Sequence, residues 1–365
     1  MRAIISGGGT AGHINPALAT AGRLAREHGA EILFIGTKKG LESKLVPEAG
    51  WDIQYIEVAG LIRRLTLKNF LVIKQFVSAI SRCKKIIKEF KPDVVIGTGG
   101  YVCAPVLFAA HALKIPTLIH EQNVIPGVTV KLTAKSADSV CISFPETTGY
   151  LKPAIAKKCV LTGNPIREEM LVVNKEDARK KLGLDERPFI VSFGGSLGAQ
   201  TLNNAATTLL NSNFSEQFQF LLGTGQRFYD SVKEAVVNHD ASIRIVPYID
   251  NMDTVMAAAD LVIGRAGALT VSELCALGKP SILVPSPNVA HDHQTYNAKS
   301  VENAGGAKLI PDATLTGEIL LATIKDLLSR PENLKAMSEK AKSIGITDGT
   351  KRICDAALQL VKDLH

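Results

Sequence analysis

Short runs of consecutive apolar residues alternate along the chain with longer stretches whose apolar positions recur at helical spacing. Strands that alternate with helices form right-handed βαβ units, and strands that are apolar throughout are buried on both faces of a parallel sheet. The pattern therefore predicts an α/β fold with doubly wound parallel sheets. The predicted strands are residues 2–6, 32–36, 94–97, 117–120, 139–142, 189–193, 219–222, 243–246, 261–263 and 281–284.

The two halves of the chain begin alike. Residues 5–12 read Ile-Ser-Gly-Gly-Gly-Thr-Ala-Gly, and residues 191–198 read Val-Ser-Phe-Gly-Gly-Ser-Leu-Gly. A predicted helix follows each segment, at residues 16–28 and 200–210. The repeat predicts two Rossmann-like domains, each opening with a strand, a glycine turn and a helix.

The chain length agrees with two domains, because 365 residues at ~150 per domain gives about two. Glycine and proline interrupt the pattern at residues 163–165. We therefore predict an N-terminal domain over residues 1–164 and a C-terminal domain over residues 165–345. Residues 346–365 contain an amphipathic stretch.

The charge is distributed unevenly between the halves. The formal net charge is +7, but residues 1–165 hold 21 basic and 11 acidic side chains (+10), whereas residues 166–365 hold 21 and 24 (−3). This asymmetry argues against a general nucleic-acid binder and indicates that the N-terminal half meets a phosphorylated ligand or an anionic membrane. No run of about 18 apolar residues and no signal-peptide core is present, so we expect a cytosolic protein. The six scattered cysteines predict reduced, mostly buried thiols.

Glycine-rich turns between a strand and a helix allow backbone amides to approach a phosphate at the helix N-terminus. Residues 7–12 match G-x-G-x-x-G, but the second predicted strand ends at Gly36 and is followed by Thr-Lys-Lys, without the acid that a dinucleotide ribose requires. An NAD-dependent oxidoreductase is therefore disfavoured. A tight turn without a ligand remains the alternative for this loop.

Candidate chemistry in the second half centres on residues 264–273. A buried strand ends at Gly264, and the helix that follows a glycine turn offers amides for a diphosphate. Glu273 is placed either to bind a ribose diol or to act as an acid near the helix N-terminus. Gln294 suits a polyhydroxylated ligand, whereas a metal site at His291 and His293 is disfavoured for lack of a third ligand.

Several motifs occur together and in order, and the chain resembles the bacterial N-acetylglucosaminyltransferases that convert lipid I to lipid II in peptidoglycan synthesis. The resemblance spans nearly the whole chain and implies a GT-B fold, two Rossmann-like domains facing across a cleft, with the last helix packed back on the N-terminal domain. The motifs are residues 8–19 (GGTAGHINPALA), 97–101 (GTGGY), 120–123 (HEQN), 163–167 (GNPIR), 194–199 (GGSLGA), 264–273 and 291–298.

The resemblance also implies roles for particular residues. Arg167 and Ser196 contact the nucleotide sugar UDP-GlcNAc, the backbone of Ile249 binds uracil, and Gln294 binds the GlcNAc hydroxyls. The diphosphate and ribose are held by the start of one helix. On the acceptor side, the cleft is lined by Thr10, Ala11, Gly12 and Asn123. The helix start that holds the diphosphate and ribose consists of Ala268, Leu269, Thr270, Val271, Ser272 and Glu273.

By resemblance, the reaction is an inverting transfer of GlcNAc to the C4 hydroxyl of MurNAc without a cofactor or metal. His13 follows the glycine loop and is our candidate general base, because imidazole titrates near neutral pH. The alternative is a histidine that only forms hydrogen bonds. Two positions depart from the family pattern: Ala11 replaces a glycine, and Thr295 replaces a second glutamine.

A basic and apolar stretch occupies residues 61–76, and nine lysines and arginines with one acid lie between residues 61 and 91. Such a composition is typical of a surface that docks on anionic lipid, although a helix packed on the sheet explains part of it. We therefore expect a peripheral protein at the cytoplasmic face of the cell membrane. The predicted membrane residues are Leu61, Ile62, Arg63, Arg64, Leu65, Leu67, Lys68, Phe70, Leu71, Lys74 and Phe76.

The partners implied by the resemblance are UDP-GlcNAc, undecaprenyl-linked lipid I, the anionic membrane surface and other cell-wall synthesis proteins, with no nucleic acid. Two alternative functions stay open. One is a glycosyltransferase for another lipid acceptor such as diacylglycerol. The other is a UDP-GlcNAc 2-epimerase of similar fold.

Overall fold

The computed structural model describes residues 1–58, 68–195, 197–212 and 217–363, with residues 68–73 described by their backbone alone. The chain forms two compact units. Unit 1 comprises Met1–Pro165 and Asp348–His365, and unit 2 comprises Ile166–Thr347.

Unit 1 is built around a parallel sheet that has seven strands within the described residues. Its strands are β1 (Arg2–Gly7), β2 (Glu31–Gly36), β3 (Ile53–Tyr55), β4 (Val94–Gly99), β5 (Thr117–Glu121), β6 (Ser139–Ile142) and β7 (Cys159–Leu161). Its helices up to the boundary are α1 (Ala11–His28), α2 (Glu42–Glu48), α3 (Lys68–Phe90), α4 (Cys103–Ala112), α5 (Val128–Thr133) and α6 (Pro153–Ala156), with a 3₁₀ turn at Pro145–Tyr150. The strand order is β3-β2-β1-β4-β5-β6-β7.

Unit 2 repeats this plan with a parallel sheet of six described strands. Its strands are β8 (Phe189–Phe193), β9 (Gln219–Gly223), β10 (Ile243–Val246), β11 (Leu261–Gly264), β12 (Ser281–Leu283) and β13 (Ala307–Leu309). Its helices are α7 (Glu168–Leu171), α8 (Lys175–Lys181), α9 (Gln200–Leu210), α10 (Tyr229–Ala235), α11 (Met252–Ala258), α12 (Ala268–Leu277), α13 (His293–Asn303), α14 (Gly317–Leu328) and α15 (Pro331–Ile344), with 3₁₀ turns at Gln226–Phe228, Ala290–Asp292 and Asp312–Thr314. The strand order is β10-β9-β8-β11-β12-β13.

The predicted doubly wound parallel sheets are confirmed, and each predicted strand overlaps a strand of the structure. The sequence pattern missed β3, β7 and β13. Each has three residues, lies at the edge of its sheet and is partly exposed, so none produces a continuous apolar run. A strand that is buried on both faces has a continuous apolar run in the sequence, and these edge strands are not buried on both faces.

Helix α1 begins five residues before the start predicted at Pro16. The carbonyl of Thr10 accepts the amides of His13 and Ile14, which closes the first turn ahead of the proline. Pro16 then lies inside the helix, where its fixed φ is helical and only one backbone hydrogen bond is lost. The earlier start brings the helix N-terminus to the end of the glycine loop.

The final helix, α16 (Gly349–Lys362), belongs to unit 1. Its buried residues Ile353, Cys354 and Ala357 join the apolar cluster formed by α1 and the inner strands of the first sheet. Trp51, the one tryptophan of the chain, packs against the same cluster. The six cysteines are unpaired, and all but Cys159 are buried, so the predicted buried thiols are confirmed.

Replacing Ile353 by alanine is expected to destabilise unit 1 by about 2–5 kcal/mol, because the side chain is fully buried and its removal leaves a cavity. Urea unfolding followed by Trp51 fluorescence measures this unit directly. Exposed Gln359 on the same helix is the control position, and Gln359→Ala is expected to change stability by less than about 0.5 kcal/mol. An equal effect of the two substitutions would show that α16 contributes no core.

Candidate functional site

Each sheet has one point at which the strand order reverses. In unit 1 it lies between β1 and β4, and in unit 2 between β8 and β11. In open parallel sheets the connections leave such a point in opposite directions, and the crevice that opens at the carboxyl ends of the strands is where ligands bind. Both glycine-rich segments singled out by the sequence follow the first strand at these points.

In unit 1 two glycine loops are in direct backbone contact. The Gly8 amide donates to the Gly99 carbonyl at 3.2 Å. Gly100 has φ +83°, and a Cβ there would lie 2.2 Å from the Gly8 carbonyl oxygen, so only glycine fits. The departure at Ala11 is tolerated because Ala11 begins α1 and does not have a positive φ.

Glu42 holds the same loop in place through hydrogen bonds to its carboxylate. Its buried carboxylate accepts the Gly9 amide at 3.0 Å, the Thr37 amide at 3.0 Å and the Thr37 hydroxyl at 2.7 Å. Burial alone raises the pKa of this carboxyl, but the hydrogen bonds from Gly9 and Thr37 outweigh it and lower the pKa. Since the amides of Gly8 and Gly9 are bonded within the protein, the part of the loop open to a ligand begins at Thr10.

His13 lies in the first turn of α1 and is partly exposed. Its Nδ1 is 3.0 Å from the side-chain oxygen of Gln122, and a Cβ on Gly99 would lie 2.5 Å from the same nitrogen. Burial lowers the pKa of His13, against smaller raising effects of its hydrogen bonds with Gln122 and Thr98. The imidazole is therefore neutral near pH 7 and able to accept a proton.

Behind His13, Gln122 also contacts His120, which is fully buried. The His120 Nε2 lies 3.0 Å from the Gly163 carbonyl, and its Nδ1 lies 2.9 Å from the Gln122 side-chain nitrogen. Burial lowers the pKa of His120 to about 4. His120 is thus a neutral, internal hydrogen-bonding group.

Asn123 is held in place by Glu121. The Glu121 carboxylate accepts the Asn123 amide at 2.9 Å and the Gly127 amide at 2.7 Å. Burial raises the pKa of Glu121, partly offset by these hydrogen bonds. The structure thereby brings His13 and Asn123 to the carboxyl ends of β1 and β5, with Thr10, Ala11 and Gly12 at the start of α1.

In unit 2, Arg167 and Glu273 form an ion pair, with Arg167 Nε 3.7 Å from Glu273 Oε1. Burial raises the pKa of Glu273, and the charge of Arg167 opposes this shift. Glu273 lies in the second turn of α12, and the first turn contains no acidic residue. Both interpretations of Glu273 are compatible with this position, and its binding of a ribose stays a prediction.

The N-terminus of α12 begins at Ala268 after Gly267, which supplies no side-chain cap. First-turn amides of a helix have no intrahelical acceptor, so those of Leu269 and Thr270 face the end of the helix. The remaining predicted residues of this segment, Val271 and Ser272, follow along the same helix.

The loop after β12 is anchored by Arg265, which donates to the Val284 and Pro285 carbonyls at 3.2 Å and pairs with Asp312. Gln294 accepts the Ser286 amide at 2.8 Å, so its oxygen faces this loop and its NH₂ group is left as the donor.

Thr295 departs from the family pattern, and its hydroxyl donates to the Asp292 carboxylate at 2.7 Å. Asp292 and the preceding His291 both have positive φ, 51° and 56°, a conformation that costs a residue with a side chain about 1–2 kcal/mol. The Thr295 hydroxyl therefore supports a strained turn just ahead of Gln294.

Ile249 is buried in the segment between β10 and α11, with its side chain against Gly223. Ser196 lies outside the described residues. Across the described chain, no group of three His, Cys, Asp or Glu side chains is arranged to hold a metal ion.

Helix α3 carries part of the predicted membrane segment. Lys74 is exposed, whereas the Phe76 ring packs edge-to-face on Phe108 with centroids 6.1 Å apart. Ala79, Cys83, Ile86 and Ile87 are buried further along the helix, so this part has one core-packing face. None of the helices within the described ranges is long and apolar enough to cross a membrane.

The structure does not describe the side chains of the other predicted membrane residues. Lys68, Phe70 and Leu71 are described by backbone alone. Six further residues lie outside the described part of the chain: Leu61, Ile62, Arg63, Arg64, Leu65 and Leu67.

Sequence reasoning did not assign roles to Gln122, Glu42 and Arg265. Gln122 lies directly after a predicted buried strand, which is the position at which parallel sheets present ligand-binding groups. Glu42 closely follows Gly40, and Arg265 lies between Gly264 and Gly267. Each also has a partner far away along the chain, His13 for Gln122, Gly9 for Glu42 and Asp312 for Arg265, and such partners give no local signal.

Family models match both halves of the chain. The Glycosyltransferase family 28 N-terminal domain matches residues 3–142, and the Glycosyltransferase family 28 C-terminal domain matches residues 189–353. The chain therefore belongs to glycosyltransferase family 28, and the predicted resemblance is confirmed.

Its relatives narrow the class further. A protein of Acetivibrio thermocellus named "UDP-N-acetylglucosamine--N-acetylmuramyl-(pentapeptide) pyrophosphoryl-undecaprenol N-acetylglucosamine transferase" is 48% identical and covers 100% of this chain and 99% of its own length. A protein of the same name from Clostridioides difficile is 40% identical over 99% of this chain and 89% of its own length. MurG of Acinetobacter baumannii has a structure similar to this chain with a TM-score of 0.82, 30% identity and coverage of 98% and 99%.

A UDP-GlcNAc 2-epimerase from Neisseria meningitidis also resembles this chain, with a TM-score of 0.70 and coverage of 98% and 100%. At 15% identity this likeness shows a shared fold alone.

We predict that acid destabilises unit 1 through His120. The unfolded chain takes up a proton near pH 6.5 and the folded protein only near pH 4, so stability is complete above pH 6.5 and is lost as the pH falls toward 4. Relative to His120→Gln, which keeps a donor toward Gly163, the unaltered protein is expected to lose about 2 kcal/mol between pH 7.5 and pH 5. Urea unfolding followed by Trp51 fluorescence measures both. A difference that stays constant with pH would contradict the assignment.

Proposed function

We propose that this chain transfers GlcNAc from UDP-GlcNAc to the C4 hydroxyl of MurNAc in undecaprenyl-diphospho-MurNAc-pentapeptide, forming a β-1,4 link with inversion. The names and full-length similarity of its relatives support this reaction. The observation that carries it is the division of chemistry between the units. Unit 1 presents a neutral histidine at its switch point, and unit 2 presents a helix N-terminus beside an Arg–Glu pair.

The donor binds to unit 2 in this proposal. The amides at the start of α12, from Ala268 onward, hold the diphosphate, and the buried carboxylate of Glu273 accepts hydrogen bonds from the ribose hydroxyls. Arg167 lies beside Glu273 and supplies positive charge near the leaving group. Gln294 donates to the GlcNAc hydroxyls, the backbone at Ile249 binds the uracil edge, and Ser196 contacts the diphosphate.

The acceptor binds to unit 1, where Thr10, Ala11, Gly12 and Asn123 line its site. His13 removes the proton from the C4 hydroxyl as the hydroxyl oxygen forms its bond to the anomeric carbon of GlcNAc. The bond from that carbon to the diphosphate oxygen breaks, and UDP leaves with the electron pair. His13 then releases its proton to water, so the enzyme returns to its starting state.

The acceptor is a lipid, and we infer that unit 1 docks on the anionic cytoplasmic face of the cell membrane as a peripheral protein. The nine basic residues between positions 61 and 91 support this, since each contributes ~1 kcal/mol of attraction near an anionic surface. The apolar residues among them are suited to dip into the headgroup region. Other cell-wall synthesis proteins are the macromolecular partners expected at that surface.

Two alternatives are separated from this proposal by simple assays. A glycosyltransferase for diacylglycerol would label that lipid instead of a lipid I analogue. A 2-epimerase would convert UDP-GlcNAc without any acceptor, and its structural likeness to this chain concerns the fold alone.

The decisive assay is transfer of radiolabelled GlcNAc from UDP-GlcNAc to a lipid I analogue. His13→Ala is expected to lower kcat at least ~100-fold while the Kd for UDP-GlcNAc changes little, because a general base acts only in the chemical step. His28→Ala, at the exposed end of the same helix, is the matched control and keeps full activity. Unchanged kcat in His13→Ala would remove His13 from the role, and absence of transfer by the unaltered protein would contradict the proposed reaction.

Membrane docking is tested by flotation with liposomes that contain anionic lipid. A variant with Arg63, Arg64, Lys68 and Lys74 changed to glutamate is expected to lose most binding, at ~1 kcal/mol or more per reversed charge. The control changes Lys38, Lys39, Lys152 and Lys157, which are exposed and lie elsewhere in the chain, to glutamate and so alters the net charge equally. Equal binding by the first variant and the unaltered protein would overturn the proposed surface.

A further inference from the structure

The orientation of the Gln122 side chain is fixed by its neighbours. Its nitrogen lies 2.8 Å from the Thr98 carbonyl and 3.2 Å from the His120 carbonyl, and its oxygen lies 3.0 Å from His13 Nδ1. Carbonyl oxygens only accept hydrogen bonds, so the NH₂ group must face Thr98 and His120. The amide oxygen is therefore the atom presented to His13.

This orientation determines where His13 carries its proton. An amide oxygen only accepts, so Nδ1 of His13 must be the protonated nitrogen. In the neutral imidazole the other nitrogen, Nε2, then holds the lone pair. Gly99 lies against the ring, and a side chain at that position would overlap it.

His120 completes the network from the other side. Because the Gly163 carbonyl only accepts, His120 donates from Nε2 and its Nδ1 accepts from the Gln122 NH₂ group. The lowered pKa of about 4 keeps His120 in this neutral form. Every hydrogen bond from Gly163 through His120 and Gln122 to His13 thus has a single direction.

We propose that Gln122 is a positioning residue that holds His13 in its Nδ1–H tautomer and thereby leaves Nε2 as the nitrogen that accepts the proton during transfer. This inference rests on the proposed role of His13. In water a neutral histidine prefers the opposite tautomer, with the proton on Nε2, and that form has no lone pair to offer there. The hydrogen bond to Gln122 therefore favours the Nδ1–H tautomer of His13, which solvent alone does not favour.

An amide suits this position better than a carboxylate. A carboxylate beside Nδ1 stabilises the imidazolium and raises the pKa of the histidine, whereas a neutral amide sets the tautomer without adding charge. The titratable groups near His13 on the surrounding elements include His120 and Glu121 of β5, Glu42 beside the glycine loop and Cys103 at the start of α4. Gln122, the side-chain hydrogen-bonding partner of His13, carries no charge, and His120 is neutral, so the lone pair of His13 stays available near pH 7.

The tautomer is measured directly in the free protein by long-range ¹H–¹⁵N NMR with ¹⁵N-labelled histidine, and His13→Ala identifies the His13 signals. We expect a protonated, pyrrole-type Nδ1 and a pyridine-type Nε2 near pH 7.5. The measurement needs no substrate and no altered Gln122. A protonated Nε2 in the unaltered protein would overturn the proposal outright, whatever the outcome of the transfer assay.

Gln122→Met keeps the size of the side chain and removes both hydrogen-bonding groups. It is expected to move the His13 proton to Nε2 and to lower kcat by ~100-fold, with the KM for UDP-GlcNAc within about twofold. Gln54→Met, at an exposed position of β3, is the matched control. A variant that keeps both the Nδ1–H signal and kcat would contradict a positioning role.

Gln122→Glu restores an acceptor for Nδ1 and adds a charge. It is expected to retain the Nδ1–H signal and to shift the acid limb of the kcat profile to higher pH, because the carboxylate raises the pKa of His13. A purely structural role for Gln122 predicts no such shift, and an unmoved limb would count against the proposal. The two proposals can fail separately. If His13→Ala kept full activity and the unaltered protein showed the Nδ1–H signal of His13, the proposed base would be wrong and the tautomer assignment would stand.

Discussion

The contact between glycine loops at the carboxyl ends of the sheets is the constraint on which both candidate sites depend. In unit 1, Gly100 lies against the Gly8 carbonyl, and in unit 2, Gly225 lies against the Gly198 backbone, with distances that leave no room for a Cβ. Backbone packed on backbone places the helix that follows each glycine loop, α1 in unit 1 and α9 in unit 2, close to the neighbouring strand ends. The position of His13 next to Gly99 follows from this approach, since the same loop begins α1.

Buried polar side chains accept hydrogen bonds from several backbone amides of these loops. Glu42 accepts a hydrogen bond from the Gly9 amide, and Glu121 accepts hydrogen bonds from the Asn123 and Gly127 amides. Gln122 forms hydrogen bonds with both His13 and His120. Such groups stay buried at low cost only when their partners satisfy them. These hydrogen bonds hold the loops in fixed positions, which a specific ligand site requires.

The amino-acid sequence predicted the architecture well because long apolar strands and glycine turns are local signals. The start of α1 was missed because the first turn forms ahead of Pro16, and the three-residue edge strands were missed because they are partly exposed and have no continuous apolar run. Sequence motifs indicated candidate site residues, whereas they did not indicate a role for Gln122. Its function depends on Thr98, His13 and His120 meeting in space, and the hydrogen bond to His13 joins residues 109 positions apart.

The return of α16 to unit 1 affects the order in which the two units can complete their folding during synthesis. Unit 2 lies between the two segments of unit 1, so during synthesis all of its residues are available before unit 1 has its last helix. Until then the apolar cluster around α1 lacks Ile353, Cys354 and Ala357. On the ribosome unit 1 is therefore the first unit to begin folding and the last to complete its core. Truncation near the C-terminus would remove α16 and so destabilise the unit that contains the N-terminus.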